Sequence, residues 1–241
     1  MYDSVKTKNR ILIVEDEESL ALGLEYNLKE ENYSVVIAKD GREALEIFET
    51  EKFDLIIIDI MLPYYNGFEL VEIIRKKEPR IPLLILTAKS KNEDKIRGFE
   101  LGVDDYLTKP FHLEELLLRI KRMLKRRSWY TTEGSNLVYK FGENKIDFEK
   151  MECYSKSKTY QLTQNEIMVL KYLIDNKGKI VSRKDLLENV WHVSPEIETR
   201  TVDIFISRLR KYCEDNPSEP RYIKSIRGVG YIFEDCNESI I

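Results

Sequence analysis

The first half of the chain alternates five times between short apolar runs and stretches with apolar residues at three- and four-residue spacing, and few folds accept that pattern. The runs Arg10–Val14, Ser34–Ala38, Leu55–Ile58, Leu83–Leu86 and Val103–Leu107 read as strands. Between and after them, Glu17–Glu31, Gly41–Thr50, Gly67–Lys77, Asn92–Leu101 and Leu113–Lys125 read as amphipathic helices. Strand–helix alternation implies a parallel sheet with right-handed crossovers and helices on both faces. The expected fold is therefore α/β, a doubly wound five-stranded parallel sheet, and of the two common doubly wound orders the expected one is 2-1-3-4-5. The segment Asp54-Leu-Ile-Ile-Ile-Asp59 fits it well, because four apolar residues, three of them β-branched, suit a strand buried on both faces.

The periodicity stops over Ser128–Ser135, and residues 128–136 are expected to be a linker between a domain at 1–127 and another at 137–241. The second domain opens as a meander, Leu137–Phe141, Lys145–Phe148, Met151–Tyr154 and Thr159–Leu162, with Gly142-Glu-Asn144 as a turn. Three helix patterns follow. Thr163–Asn176 starts on the capping-box sequence Thr163-Gln-Asn-Glu166, Ser182–Val190 has Ser182 as N-cap, and Glu198–Cys213 is the longest. Tyr222–Ile226 and Tyr231–Phe233 then read as a hairpin with glycines at its turn. This half is α+β.

Composition narrows the function. No apolar stretch approaches the eighteen or so residues that span a bilayer, and the polar N-terminus has no signal-peptide pattern. The expectation is a cytoplasmic protein with no membrane partner. Cys153, Cys213 and Cys236 are odd in number and widely spaced, which fits a reducing compartment and not a disulfide framework or a zinc site. Net charge is −4, carried by residues 1–126 with 21 Lys+Arg against 25 Asp+Glu. Residues 127–241 hold 18 of each, so any case for nucleic acid must come from local clusters.

Asp59 is the most informative residue. A lone aspartate after a strand is commonly a turn or helix N-cap residue. Here the other strand ends carry matching chemistry: Glu15-Asp16 after the first, Thr87 at the fourth, Lys109-Pro110 after the fifth. Glu15 and Asp16 alone would suit a helix N-terminus. In the order 2-1-3-4-5, however, these strand ends are neighbours, at the edge where open α/β sheets bind ligands. Clustered carboxylates raise one another's pKa unless a divalent cation neutralises them, and an all-oxygen donor set suits Mg²⁺. A carboxylate can attack phosphorus to give an aspartyl-phosphate. The phosphoryl group in transit needs an ammonium (Lys109), a hydroxyl (Thr87) and backbone N–H groups, available near Met61 and Ala88.

Four segments, Ile11-Leu-Ile-Val-Glu-Asp16, Asp59-Ile-Met-Leu-Pro63, Leu86-Thr-Ala88 and Asp104-Asp-Tyr-Leu-Thr-Lys-Pro-Phe111, resemble the flavodoxin-like receiver domain of bacterial response regulators. The second half, ending in Ile226-Arg-Gly-Val-Gly-Tyr-Ile-Phe233, resembles the winged-helix output domain of the OmpR/PhoB family. The match covers about residues 9–127 and 137–235. The resemblance implies a phosphoacceptor Asp59 assisted by Thr87 and Lys109. It implies Mg²⁺ held by Glu15, Asp16, Asp59 and the Met61 carbonyl, and a switch pair of Thr87 and Tyr106. Met61 and Lys89 fall at rim positions expected to tune the lifetime of the acyl phosphate. The implied partners are a sensor histidine kinase, promoter DNA, a second copy of the phosphorylated chain, and RNA polymerase. No enzyme activity is implied beyond accepting and losing the phosphoryl group.

The corresponding dimer face would pair Lys95 with Glu115, Glu100 with Lys121, and Asp105 with Arg119. In the second half, Val202, Phe205, Ile206 and Leu209 form an apolar stripe on the long helix. By the resemblance that helix lies in the major groove and the hairpin reaches the minor groove. Arg200, Ser207, Arg208, Arg210, Lys211, Ser225 and Arg227 are the candidate DNA contacts. Phe205 and Ser207 stand where relatives often carry more polar or basic residues, and His192 where Gly is common, so no relative's operator transfers. Two other classes remain. A receiver-regulated enzyme would need a catalytic motif in the second half, where no Walker loop or nucleophile elbow occurs. An interaction module would use the winged helix to bind a protein.

Overall fold

Five parallel strands, β1 (Arg10–Val14), β2 (Ser34–Ala38), β3 (Leu55–Ile58), β4 (Leu83–Thr87) and β5 (Asp105–Thr108), pair in the order β2-β1-β3-β4-β5. Helices α1 (Glu18–Glu30), α2 (Gly41–Thr50), α3 (Gly67–Lys77), α4 (Asn92–Glu100) and α5 (Leu113–Arg126) connect and close them. The structure, a computed structural model, describes residues 8–89, 91–126, 138–191 and 200–235. The chain divides into two units, Met1–Arg127 and Ser128–Ile241. The proposed linker at 128–136, as well as His192 and Cys236, lies outside the described residues.

In the first unit, alternation along the strands sends Ile11, Ile13, Leu55, Ile57, Leu84 and Leu86 to one face. There they pack on Leu24 and Leu28 of α1 and on Leu116, Ile120 and Met123 of α5. Ile85 points the other way, with Phe68 of α3, toward Gly98 of α4. Helix starts follow local chemistry. Asp40 accepts N–H groups of Arg42 and Glu43 at α2, and Asn66 with Glu69 forms a capping box at α3.

The last strand of this sheet begins two residues later than its apolar run suggests, because Asp104 turns inward. Its carboxylate, 1% exposed, meets Arg75 of α3 at 2.7 Å and accepts the Leu83 N–H at 2.9 Å. The same guanidinium donates to the carbonyls of Gly102 at 2.8 Å and Ile81 at 2.5 Å. One charge pair thus ties α3 to the entries of β4 and β5.

The second unit opens with an antiparallel meander, β6 (Val138–Phe141), β7 (Asn144–Asp147), β8 (Glu152–Ser155) and β9 (Lys158–Gln161). Helix α6 (Gln164–Asp175) starts on the Thr163/Glu166 capping box. The expected helix Ser182–Val190 is instead a short α7 (Arg183–Leu186) that widens into a π-helical turn, Leu187–Trp191. Ser182 caps it, as its sequence suggests. The longest described helix of this unit, α8, runs Arg200–Cys213, and the two residues expected before it lie outside the described region. A third sheet joins β10 (Ile180–Ser182) to β12 (Gly230–Phe233) and β12 to β11 (Ile223–Ile226). The three residues of β10 are too few to show alternation, and only a distant hairpin gives them a partner. Phe141 meets Tyr222 and Phe233 edge-on at 4.8 and 5.1 Å, which fastens the meander to the hairpin.

Removing one partner of a buried ion pair strands the other. Asp104→Ala is expected to destabilise the first unit by about 3–5 kcal/mol in urea denaturation followed by far-UV circular dichroism. A loss below about 1 kcal/mol would mean that Arg75 does not depend on this carboxylate.

Candidate functional site

The functional side chains at the sheet's C-terminal edge are fixed by continuations of the strand ladder. Glu15 N–H donates to Ala38 O and Asp59 N–H to Val14 O, both at 3.0 Å, and Lys109 N–H to Thr87 O at 2.8 Å. The edge therefore brings Glu15, Asp16, Asp59, Thr87 and Lys109 to one place. Carboxylate oxygens of Glu15, Asp16 and Asp59 lie within 4.8 Å of one another. The Lys109 ammonium sits between two of them, 2.7 Å from Glu15 Oε2 and 2.6 Å from Asp59 Oδ2. Its bond to Pro110 is cis.

Burial would raise the Asp59 carboxyl, but donation from Lys109, the Thr87 hydroxyl and the Met61 N–H outweighs it and holds the group below the usual carboxylate range. Glu15 goes the other way: burial dominates over Lys109 and raises it. For Lys109, burial would lower the ammonium, and hydrogen bonds to Asp59 and Glu15 reverse that and raise it. Asp59 is thus an ionised carboxylate, 4% exposed, with donors on both oxygens. The three-carboxylate donor set is all oxygen and suits a hard divalent cation such as Mg²⁺.

The loop after Asp59 is held tightly. Met61 N–H donates to Asp59 Oδ1 at 3.0 Å, and Gly67 N–H returns to Ile60 O at 2.9 Å. A Cβ on Gly67 would fall inside contact distance of Asp59 O and 2.8 Å from Ile60 Cα, so only glycine permits this approach. Between these points Tyr65 N–H bonds Pro63 O at 2.9 Å while Tyr64 has φ of 67°, a left-handed turn. Arg42 of α2 covers the Tyr64 ring at 4.5 Å. The Met61 side chain is half exposed at the rim.

Thr87 is fully buried, and Lys89 N–H lies 3.4 Å from its hydroxyl oxygen. Tyr106, 8% exposed, donates from its hydroxyl to Lys89 O at 2.8 Å. Lys89 therefore links the two switch candidates. On the outer face of the same unit, Arg119 bridges Asp105, at 2.7 Å, and Glu115, at 2.6 Å, within one chain. Glu100 and Lys121 are exposed, and Lys95 is half-buried.

In the second unit Val202, Phe205, Ile206 and Leu209 of α8 are all at most 1% exposed, so the apolar stripe faces inward. Its arginines are largely engaged. Arg208 Nε lies 2.7 Å from Glu166 Oε1, on a glutamate with no exposure, and its Nη2 is 3.4 Å from Tyr212 Oη. Arg210 donates to Ile223 O and to Ser225 Oγ, both at 2.8 Å. Asp203 ion-pairs with Arg183 at 2.7 Å and accepts the Tyr231 hydroxyl. Ser207, Lys211 and Arg227 are exposed, and the Arg200 side chain lies outside the described residues. Arg227 precedes Gly228, whose φ of 75° makes the left-handed hairpin turn.

Residues 11–121 match the family model for the response regulator receiver domain, and residues 157–233 that for the transcriptional regulatory protein, C terminal. The alkaline phosphatase synthesis transcriptional regulatory protein PhoP of Bacillus subtilis is 42% identical, over 94% of this chain and 97% of its own. The chain belongs to the OmpR/PhoB family of response regulators. The probable transcriptional regulator ycf27 of Cyanophora paradoxa is also 42% identical, over 95% of this chain and 98% of its own. The response regulator DrrB of Thermotoga maritima, an OmpR/PhoB homolog of known structure, is 36% identical, with 94% and 99% coverage and a TM-score of 0.51. This response regulator is thus a two-component protein with a receiver domain and a DNA-binding, transcription-regulating C-terminal domain.

Sequence reasoning did not anticipate Glu166 as the buried partner of Arg208. The capping box marked it as a helix start, but its Oε1 partner is 42 residues away. Freeing Arg208 would strand that buried carboxylate at about 3–5 kcal/mol, more than the about 1–3 kcal/mol of a bidentate base contact. Glu214 was missed too: 3% exposed, it accepts the N–H groups of Arg221, Tyr222 and Ile223 at 2.7–2.8 Å and so seats the hairpin.

Gly67→Ala in the regulator is expected to cost about 1–3 kcal/mol by overpacking and to displace the Met61 amide from Asp59. Amide chemical shifts of Asp59–Met61, compared with the parent protein, are the check, and unchanged shifts would show that the loop accommodates a Cβ.

Proposed function

We propose that this regulator is controlled by phosphorylation of Asp59 and acts as a dimer on promoter DNA. The observation that carries the reading is Asp59 itself: an ionised, 4% exposed carboxylate with Lys109 Nζ at 2.6 Å and the Met61 N–H at 3.0 Å. A lone pair of the Asp59 carboxylate forms the bond to phosphorus. The P–N bond to a sensor kinase's phosphohistidine breaks, and its electron pair stays on the imidazole nitrogen. Lys109, the Thr87 hydroxyl and the Met61 amide surround the acceptor oxygens and meet charge on the arriving phosphoryl group. Glu15, Asp16, Asp59 and the Met61 carbonyl would hold Mg²⁺, which when bound neutralises phosphoryl oxygens and the carboxylate cluster. Beyond accepting and losing the phosphoryl group, the protein has no enzymatic role, and its site of action is the cytoplasm.

In this reading Thr87 and Tyr106 are the switch pair, joined through Lys89, whose rim position with Met61 tunes the acyl-phosphate lifetime. The α4–β5–α5 face pairs two copies through Lys95–Glu115, Glu100–Lys121 and Asp105–Arg119, and phosphorylation shifts a pre-existing equilibrium toward that dimer. The second unit, after a linker at 128–136, places α8 in the major groove and the hairpin in the minor groove, with RNA polymerase as a further partner. Arg200, Ser207, Lys211 and Arg227 are the contacts to DNA. Arg208, Arg210 and Ser225 serve mainly to hold α8 against α6 and the hairpin.

Asp59→Asn should abolish labelling by a small acyl-phosphate donor and donor-dependent dimerisation while leaving the circular dichroism spectrum unchanged. Full labelling of that variant would place the acceptor elsewhere. Asp105 is a poor site for testing the dimer, since reversing it also breaks its own chain's pair with Arg119. Glu100 and Lys121 are exposed and serve better. Glu100→Lys is expected to weaken donor-dependent dimerisation roughly 2–10-fold in analytical ultracentrifugation, and adding Lys121→Glu to restore it. If the double variant is no better than the single one, that pair is not intersubunit.

A further inference from the structure

The outward face of α8 is defined by what is packed beneath it. At 3.6 residues per turn, the face opposite Val202, Phe205, Ile206 and Leu209 carries Ile204, Ser207 and Lys211 among the described side chains. The two flanks of that face are where Arg208 and Arg210 leave the helix. On one flank, Arg208 is bound by the fully buried Glu166 at 2.7 Å and by the Tyr212 hydroxyl at 3.4 Å. On the other, Arg210 is bound by Ile223 O and Ser225 Oγ, both at 2.8 Å. Both guanidinium forks, the usual readers of guanine O6 and N7, are aimed at the domain's own acceptors. The flank near the hairpin is closed further by Asp203, held by Arg183 at 2.7 Å and by Tyr231.

On that outward face lies Ile204, partly buried, with the small exposed hydroxyl of Ser207 one turn on. A partly buried isoleucine at the edge of a helix surface is common in proteins. This one lies on a helix face between Arg208 and Arg210, both turned to internal acceptors, which places it to meet base edges. A branched apolar group in the major groove has one specific partner, the thymine C5-methyl, since no other base presents a methyl there. Lys211 and, on the hairpin, Arg227 are exposed cations suited to phosphates, which position a protein without reading sequence.

We propose that α8 reads DNA mainly by apolar contact, with Ile204 packed on thymine methyl groups, so that the half-site beneath it is thymine-rich and not centred on a guanine. Ser207 bonds an adjacent base edge. This rests on the DNA-binding reading above and specifies the ligand of that surface.

The test uses the full-length chain, treated with an acyl-phosphate donor at fixed salt, to select duplexes from a randomised pool. Each thymine of a selected duplex is then replaced by 2′-deoxyuridine, which removes only the methyl. At one or two positions in each half-site the replacement should lower affinity roughly 3–5-fold, the worth of one buried methyl group. Ile204→Ala should bind more weakly and be indifferent to uracil at those same positions, whereas Ser207→Ala should stay sensitive to it. Selective binding with no uracil-sensitive thymine overturns the inference while leaving DNA binding in place. So does a selected half-site with an invariant guanine whose 7-deazaguanine replacement costs tenfold or more only while Arg208 or Arg210 is present. If no duplex is selected at all, the DNA-binding reading fails and this inference falls with it.

Discussion

The first unit is organised around one ammonium group. Lys109 sits 2.6–2.7 Å from both Glu15 and Asp59, carboxylates that come from different strands of a buried sheet. Without a cation between them, two acids at this separation in a poorly hydrated site would drive each other toward the neutral form. The pair responds unequally, Asp59 held low and Glu15 pushed up, because Asp59 also receives the Met61 amide and the Thr87 hydroxyl. The proposed phosphoryl transfer to Asp59 requires this ionised form. The rest of the unit keeps those donors in register: the parallel ladder carries Glu15, Asp59 and Lys109 on its own hydrogen bonds, and Gly67 lets the following loop fold back against the strand.

A second ion pair shapes the other half in a comparable way. Glu166, with no solvent exposure, accepts the Thr163 N–H on one oxygen and Arg208 on the other. It starts α6 and anchors α8 at once. The consequence for function is subtraction: a helix with several basic residues presents fewer of them outward than its composition suggests. Positive charge in a sequence marks a nucleic-acid candidate, but the internal acceptors decide which charges reach the nucleic acid.

Much of this was legible in the sequence. The βα alternation marked a parallel doubly wound sheet, its expected order 2-1-3-4-5 is the one observed, and the four-residue run before Asp59 marked a strand buried on both faces. The expected strand at Val103–Leu107 began late because Asp104, polar but buried, belongs to Arg75, a partner 29 residues away that no local pattern reveals. The strand Ile180–Ser182 was invisible because three residues carry no period. The thiols of Cys153 and Cys213, distant in sequence, lie 3.6 Å apart, where Cys153 and burial together push the Cys213 thiol up.

By itself, the sequence determined the order of elements, the placing of Glu15, Asp16, Asp59, Thr87 and Lys109 at strand ends, and the inward face of α8. All three follow from periods of two and 3.6 residues, which are properties of the backbone and need no knowledge of partners. The tertiary structure alone decided which charges are spent internally: Arg75 on Asp104, Arg208 on Glu166 and Arg210 on the hairpin. A buried ion must find its counterpart wherever the fold brings one within reach, and that distance is set by packing, not by spacing along the chain.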